Sequence, residues 1–393
     1  MANRYWVNGG VTNNWSDTSN WSTTSGGAGG ASVPGASDDV IFDGNGPWNC
    51  TLDVNGNAAS IIWSGYSGSF DAVSYDFSCA GNFARSNNES VDLGSGTWTV
   101  GGTYLIGGHL NLTASSATLV MTGTGVGYKP NSQSLGTLII ETGANVTGVH
   151  NQTSSWAISN LLDVRGTFSI NDSRNCNIAD GGELKVSGSL VYASGGAGVI
   201  VLQKYAKITE YTGTIGVDLR FVCDKAASAV YQSLLPGTYE GNVTFNIGRF
   251  TNQELQLPAG SYVFNGNFSF AYQYGSPTLT VNNSTNNPSI TFGGDVTLVA
   301  LYAFWSAGTG TITLDNTAAQ AIDFNGQTVE AVIVSNASTG AITLGANFTT
   351  PYVHDCNNLI NLNGFTITET GTDPSPCVSY AGYYLLDEPF KRL

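Results

Sequence analysis

Basic side chains are scarce. Lys and Arg together number 13 in 393 residues against 28 Asp and Glu, and only 10% of the chain is charged, where a usual soluble protein has about 25%. None falls between Arg4 and Arg85, and none between Arg249 and Lys391. Binding to phosphate requires clustered Lys or Arg to displace counterions, so no nucleic-acid partner is expected. An anionic membrane surface is disfavoured for the same reason. The two blocks without Lys or Arg also predict resistance to trypsin.

Good helix formers are sparse as well. There are 2 Met and 50 Gly, with few Leu, Glu, Lys or Arg, while Asn, Ser and Thr are abundant, which argues against a helical protein. No run approaches the roughly 20 apolar residues of a membrane-spanning helix. Met1-Ala2-Asn3-Arg4-Tyr5-Trp6-Val7-Asn8-Gly9 lacks the basic, then apolar, then small-residue order of a secretory leader. With its Met-Ala start, the chain is read as made in the cytoplasm and released in a particle by lysis; removal of a leader is the alternative.

Metal and catalytic signatures are missing too. Cys50, Cys79, Cys176, Cys223, Cys356 and Cys377 form no CxxC pair, so no zinc site is expected. Buried free thiols are expected, with disulfides as the alternative. His109, His150 and His354 show no HExxH or His-x-His spacing and are read as structural. No Gly-x-Ser-x-Gly elbow or phosphate-binding loop is present. Asp53-Val54-Asn55-Gly56-Asn57 is oxygen-rich but lacks the twelve-residue calcium loop, and Gly26–Gly30 lacks the Asp of the calcium nonapeptide. The chain is therefore expected to take no metal and no cofactor.

What remains is β-rich. Hydrophobic residues make up 41% of the chain, too many for a disordered one. Short alternating runs such as Thr97-Trp98-Thr99-Val100, Thr118-Leu119-Val120-Met121 and Thr311-Ile312-Thr313-Leu314 carry the period-two signal of half-buried strands. A phrase, apolar-x-Gly-x-apolar, recurs at Val100-Gly102-Tyr104, Val164-Gly166-Phe168, Val186-Gly188-Leu190, Tyr239-Gly241-Val243, Phe264-Gly266-Phe268 and Phe292-Gly294-Val296. Looser copies stand at Cys79-Gly81-Phe83, Phe324-Gly326 and Leu362-Gly364. Adjacent copies lie a few tens of residues apart, the length of one solenoid coil. Each copy reads as strand, corner, strand, the glycine supplying a positive φ or a close backbone approach.

A two-strand block also repeats: Thr278–Val281 with Ser289–Phe292, Thr311–Leu314 with Ala321–Phe324, and Ala341–Leu344 with Leu359–Leu362. The expected fold is all-β, a parallel β-helix or solenoid with atypical terminal caps. Tandem β-sandwich domains are the alternative. Expected boundaries are 1–45 for an N-terminal cap or anchor, 46–369 for the solenoid, and 370–393 for a C-terminal docking or capping tail. That tail carries Pro374, Pro376, Pro389 and Phe390.

The opening segment is distinctive. It runs Tyr5-Trp6-Val7-Asn8-Gly9-Gly10, Asn14-Trp15-Ser16-Asp17, Asn20-Trp21-Ser22, then Gly26–Ala31 and Asp38-Asp39-Val40-Ile41-Phe42-Asp43. It resembles an N-terminal signature of β-helical virion structural proteins of tailed bacteriophages, related to repetitive bacterial surface proteins. The match covers roughly the first tenth of the chain. It implies a non-enzymatic head decoration, fibre or spike on the virion surface, homo-oligomeric and trimeric, with capsid or tail proteins and host glycans as partners. A secreted or cell-surface adhesin is the alternative.

Trp6, Trp15, Trp21, Asp17 and Phe390 are the binding or capping candidates. The tryptophans can cover the open end of an apolar core, each aiming its indole N–H at a partner, or they can stack on sugars. A polysaccharide depolymerase is the enzymatic rival. It would need two carboxylates roughly 5 to 10 Å apart, for which Asp163, Asp172, Asp180 and Glu183 near Trp156 are candidates, a solvated acidic loop being the alternative; no catalytic residue is assigned.

Overall fold

The structure, a computed structural model, describes residues 2–373 except 86–89, 107–111, 115, 131–132, 149–154, 172, 174, 195, 225–229, 232–233, 273–276, 299–301, 336 and 356–358. Asp172, His109, His150, Cys356, Cys377, Phe390 and the three tail prolines lie outside the described residues. The chain is all-β, a β-solenoid of about 13 turns built from stacked parallel strands. Antiparallel sandwich domains are excluded by the pairing: the strands of the coils bond in parallel to the equivalent strands one coil away, and among the described strands only Trp21–Ser22 pairs antiparallel. The chain divides into two compact units, Met1–Ile200 and Val201–Leu393.

In the first unit each coil passes along three faces. Face one begins with Asp39–Asp43, Ser60–Ser64, Phe83–Arg85 and Tyr104–Ile106. Face two begins with Cys50–Thr51, Ser69–Asp71 and Ser90–Asp92. Face three begins with Gly56–Ala58, Phe77–Cys79, Thr97–Val100 and Thr118–Met121. Strand alternation places one residue in two inside, so register turns into columns of buried side chains. Val40, Ile61, Phe83, Tyr104 and Tyr128 form such a column on face one. Trp98, Leu119, Leu138, Leu162 and Leu184 form one on face three. Outward positions hold Thr97, Thr118 and Thr137 in register. Together the columns make one core that no coil could bury alone.

The second unit repeats this order. On face one, Tyr239, Phe264, Phe292, Leu314 and Val334 stack in register and are all buried. Face two runs from Asp218–Cys223 through Val243–Ile247 and Phe268–Tyr272. Face three runs from Gln253–Gln256 through Leu279–Asn282 and Ala303–Ser306.

The glycine phrase occupies different corners in the two units. Val100-Gly102-Tyr104, Val164-Gly166-Phe168 and Val186-Gly188-Leu190 turn from face three to face one. Tyr239-Gly241-Val243, Phe264-Gly266-Phe268 and Phe292-Gly294-Val296 turn from face one to face two. The glycines are required by crowding, because φ is not positive at any of the six. A Cβ on Gly266 would lie 2.5 Å from the carbonyl carbon of Gly241, and one on Gly294 would lie 2.5 Å from that of Gly266. Only the looser copies use left-handed backbone, at Asn325-Gly326 (φ 50 and 73°) and Asn363-Gly364 (φ 49 and 83°).

The two-strand blocks likewise do not keep their faces. Thr311–Leu314 pairs with Ser289–Phe292 on face one, not with Leu279–Asn282 on face three. The blocks are alike because every half-buried strand needs the same alternation, whichever face it serves.

Candidate functional site

The N-terminal segment builds the end of the first unit. Asn3–Trp6 pairs in parallel with Asp39–Asp43, and Trp21–Ser22 pairs antiparallel with Asn3–Trp6. Asn13 and Trp15 reach face two, where Thr51 N–H donates to Asn13 O at 2.7 Å and Trp15 N–H donates to Thr51 O at 2.8 Å. Two edges are thus covered by a segment that turns back on itself, which blunts further strand addition.

Trp6, Trp15 and Trp21 are 0, 1 and 0% exposed. Trp21 meets Trp6 and Trp15 edge-on, with centroids 5.2 and 4.7 Å away. The cluster continues to Phe42, Phe70 and Phe77 of the first coils. Trp21 Nε1–H donates to Trp15 O at 2.7 Å, and Trp6 Nε1–H donates to Trp48 O at 3.0 Å. These rings are enclosed and offer no face to a sugar.

Polar residues of the signature hold the segment in shape. Asp17 Oδ1 accepts from Ser19 N–H at 2.9 Å, capping the short 3-10 turn Thr18–Asn20. Asn20 is buried and bonded on both sides of its amide: Oδ1 accepts from Gly10 N–H, and Nδ2 donates to Thr12 O and Asn14 O, all at 2.9 Å. A buried amide satisfied three times fixes the loop. Ser16 ties it to the first coil, its N–H and Oγ–H donating to the Asp53 carboxylate at 2.9 and 2.6 Å. In the oxygen-rich turn at Asp53–Asn57, Asn55 Oδ1 likewise accepts from Asp76 N–H at 3.1 Å.

Of the acidic candidates, Asp163 and Glu183 lie on neighbouring coils, two register positions apart. Trp156 is buried against Tyr128 and Phe168, inside the coil. Asp163 sits outward on face three and is held by Arg165, whose Nη2 is 2.8 Å from Asp163 Oδ2. The same guanidinium reaches Glu141 at 3.3 Å. Glu183 begins the next strand, level with Leu161, and Asp180 lies in the preceding turn. His354 Nδ1 pairs with Asp373 Oδ2 at 2.8 Å. No group of three His, Cys, Asp or Glu converges among the described residues.

Cys50, Cys79, Cys176 and Cys223 are buried free thiols. Burial pushes the Cys50 and Cys176 thiols well above the usual range, and it pushes Cys79 up to about 11. The neutral thiol is neither a nucleophile nor a metal ligand.

One recess opens on the outward side of face three, a shallow groove of about 260 Å³ lined by Asn55, Asn57, Asp76, Ser78, Thr97 and Thr99. Asn57, Ser78 and Thr99 stand in register across three coils, giving a column of amide and hydroxyl groups. Such a surface can exchange hydrogen bonds with hydroxyl-rich ligands.

Sequence reasoning missed one buried polar centre. Glu330 is 1% exposed and accepts from Asn283 Nδ2, Trp305 Nε1 and Gly308 N–H at 2.9, 2.6 and 3.0 Å. No protein-family model, curated protein or solved structure matches this chain.

Proposed function

We propose that the chain is a non-enzymatic structural protein of a bacteriophage particle, a head decoration, fibre or spike, presenting its coils on the virion surface. The reading rests on the folding of the Asn-Trp-Ser-Asp signature, which supplies a sealed end to the coil stack instead of an exposed ligand platform. The chemistry left outside supports a passive role. The four described thiols are buried, Asp163 is ion-paired, and outward strand positions present hydroxyl and amide groups.

The partners under this reading are capsid or tail proteins of the same particle and further copies of the chain, assembled as a trimer. Mass spectrometry of purified particles, with copy number measured relative to the major capsid protein, tests it. Many copies identify a decoration and a few identify a fibre or spike, while absence from the particle overturns the reading.

Adhesion to host glycans is the second role proposed. Tyr272 is 41% exposed and stacks on Tyr302, with centroids 4.4 Å apart and planes 9° from parallel. Exposed rings of this kind and the hydroxyl-lined groove suit sugars. Incubation with host capsule separates this role from cleavage: retention without new reducing ends or unsaturated products supports adhesion, and either product establishes a depolymerase.

A further inference from the structure

Asn8, Asn45, Asn55, Asn265, Asn325 and Asn363 each precede a glycine. In such a pair the glycine nitrogen can attack the asparagine side-chain carbonyl, because no Cβ hinders its approach. The attack requires that nitrogen to be unengaged and the side chain to be free to swing. Gly46 N–H donates to Asp43 O at 3.2 Å, Gly56 N–H to Asp76 O at 2.9 Å, and Gly326 N–H to Asn347 O at 2.8 Å. Asn8 has its Oδ1 enclosed. Asn265 Nδ2 is tied to Glu240 Oε2 at 2.8 Å, with Gly266 pressed against Gly241.

Asn363 differs from all of these. Leu362-Asn363-Gly364-Phe365 is a turn closed by Phe365 N–H to Leu362 O at 2.8 Å. Phe324-Asn325-Gly326-Gln327 is the same turn, closed by Gln327 N–H to Phe324 O at 3.0 Å, with nearly the same φ values. In the Asn325 turn, Asn347 O accepts from Gly326 N–H. Among the described residues nothing accepts from Gly364 N–H. Asn363 and Gly364 are both exposed, and a Cβ on Gly364 would meet no atom within 4 Å. The Asn363 amide is restrained only by a long contact, Nδ2 to Leu344 O at 3.4 Å.

We propose that Asn363 deamidates spontaneously in the folded chain, while its structural twin Asn325 is protected. Gly364 N attacks Asn363 Cγ and loses its proton to solvent base. The N–Cγ bond forms, the Cγ–Nδ2 bond breaks, and the nitrogen leaves as ammonia. Water then opens the succinimide at either carbonyl, giving aspartate or isoaspartate. Water is the only co-reactant, and each event adds one negative charge to an exposed corner. The proposal does not depend on the virion reading.

The test incubates the full chain in heavy-oxygen water at mildly alkaline pH, digests it with pepsin in acid, and quantifies labelled peptides containing Asn363 and Asn325. In the folded chain Asn363 is expected to convert at least about fivefold faster, because the Gly326 hydrogen bond must break before attack. In denaturant the two rates are expected to converge. Equal rates in the folded chain, no conversion at Asn363, or a rate gap that persists in denaturant would each overturn the proposal.

Discussion

Trp305 donates its indole N–H to the carboxylate of Glu330 at 2.6 Å, inside the second unit, and Asn283 and Gly308 donate to the other oxygen of the same carboxylate. A buried anion is tolerated when donors replace its hydration. Glu330→Gln keeps the shape but turns an NH2 group toward a donor. The variant is expected to lose about 1–3 kcal/mol of stability, read as a lower midpoint in chemical denaturation. An unchanged midpoint would mean the donors hold the site without the charge.

Trp21 touches both other tryptophans and Phe42. Trp21→Ala is expected to cost about 3–5 kcal/mol through the cavity it leaves. Loosening the strand Trp21–Ser22 also bares the edge of Asn3–Trp6, so size-exclusion chromatography should show self-association. A stable, monodisperse variant would show that the segment does not seal the end.

Two glycines separate crowding from conformation. Gly266→Ala forces a Cβ onto the Gly241 backbone at 2.5 Å and should cost about 1–3 kcal/mol or more. Gly326→Ala meets open space but holds φ at +73°, and should cost about 1 kcal/mol. Thermal melts of the two variants check the order.

Thiol chemistry gives a pH prediction. Burial raises Cys79 from 9.0 to about 11, so the folded state keeps its proton where the unfolded state has lost it. That contribution to stability is complete below pH 9.0 and is lost as the pH rises toward about 11. Alkylation followed by site-resolved mass spectrometry should find Cys50, Cys79 and Cys176 protected near neutral pH and labelled in denaturant. Rapid labelling of Cys79 in the folded protein at neutral pH would contradict its burial.

Strand alternation and the glycine phrase made the solenoid legible, because both are written in local residue order. The face each strand serves was not, since Thr-Leu-Thr-Val at 278–281 and Thr-Ile-Thr-Leu at 311–314 read alike and lie on faces three and one. Bulges such as that between Leu135 and Thr137 further shift coil length without a sequence mark. Trp6, Trp15 and Trp21 stood out by rarity and spacing. Glu330 did not, because one acidic residue in Thr-Val-Glu-Ala-Val reads as a surface position until the preceding coils supply its donors.

Two ladders of corner side chains are bonded in one direction from coil to coil. Asp218 Oδ1 accepts from Asn242 N–H, Asn242 Oδ1 from Asn267 N–H, Asn267 Oδ1 from Asp295 N–H, and Asp295 Oδ1 from Ala321 N–H. Within the first unit, Asn55 and Asp76 serve Asp76 and Thr97 in the same sense. In these two ladders the acceptor belongs to the coil nearer the N-terminus, whereas Thr278 and Glu330 accept from an earlier coil, from Asn252 N–H and Gly308 N–H. Along these two ladders each coil is therefore a template for the one translated after it, and a ribosome delivers the donors in the order in which the template can receive them.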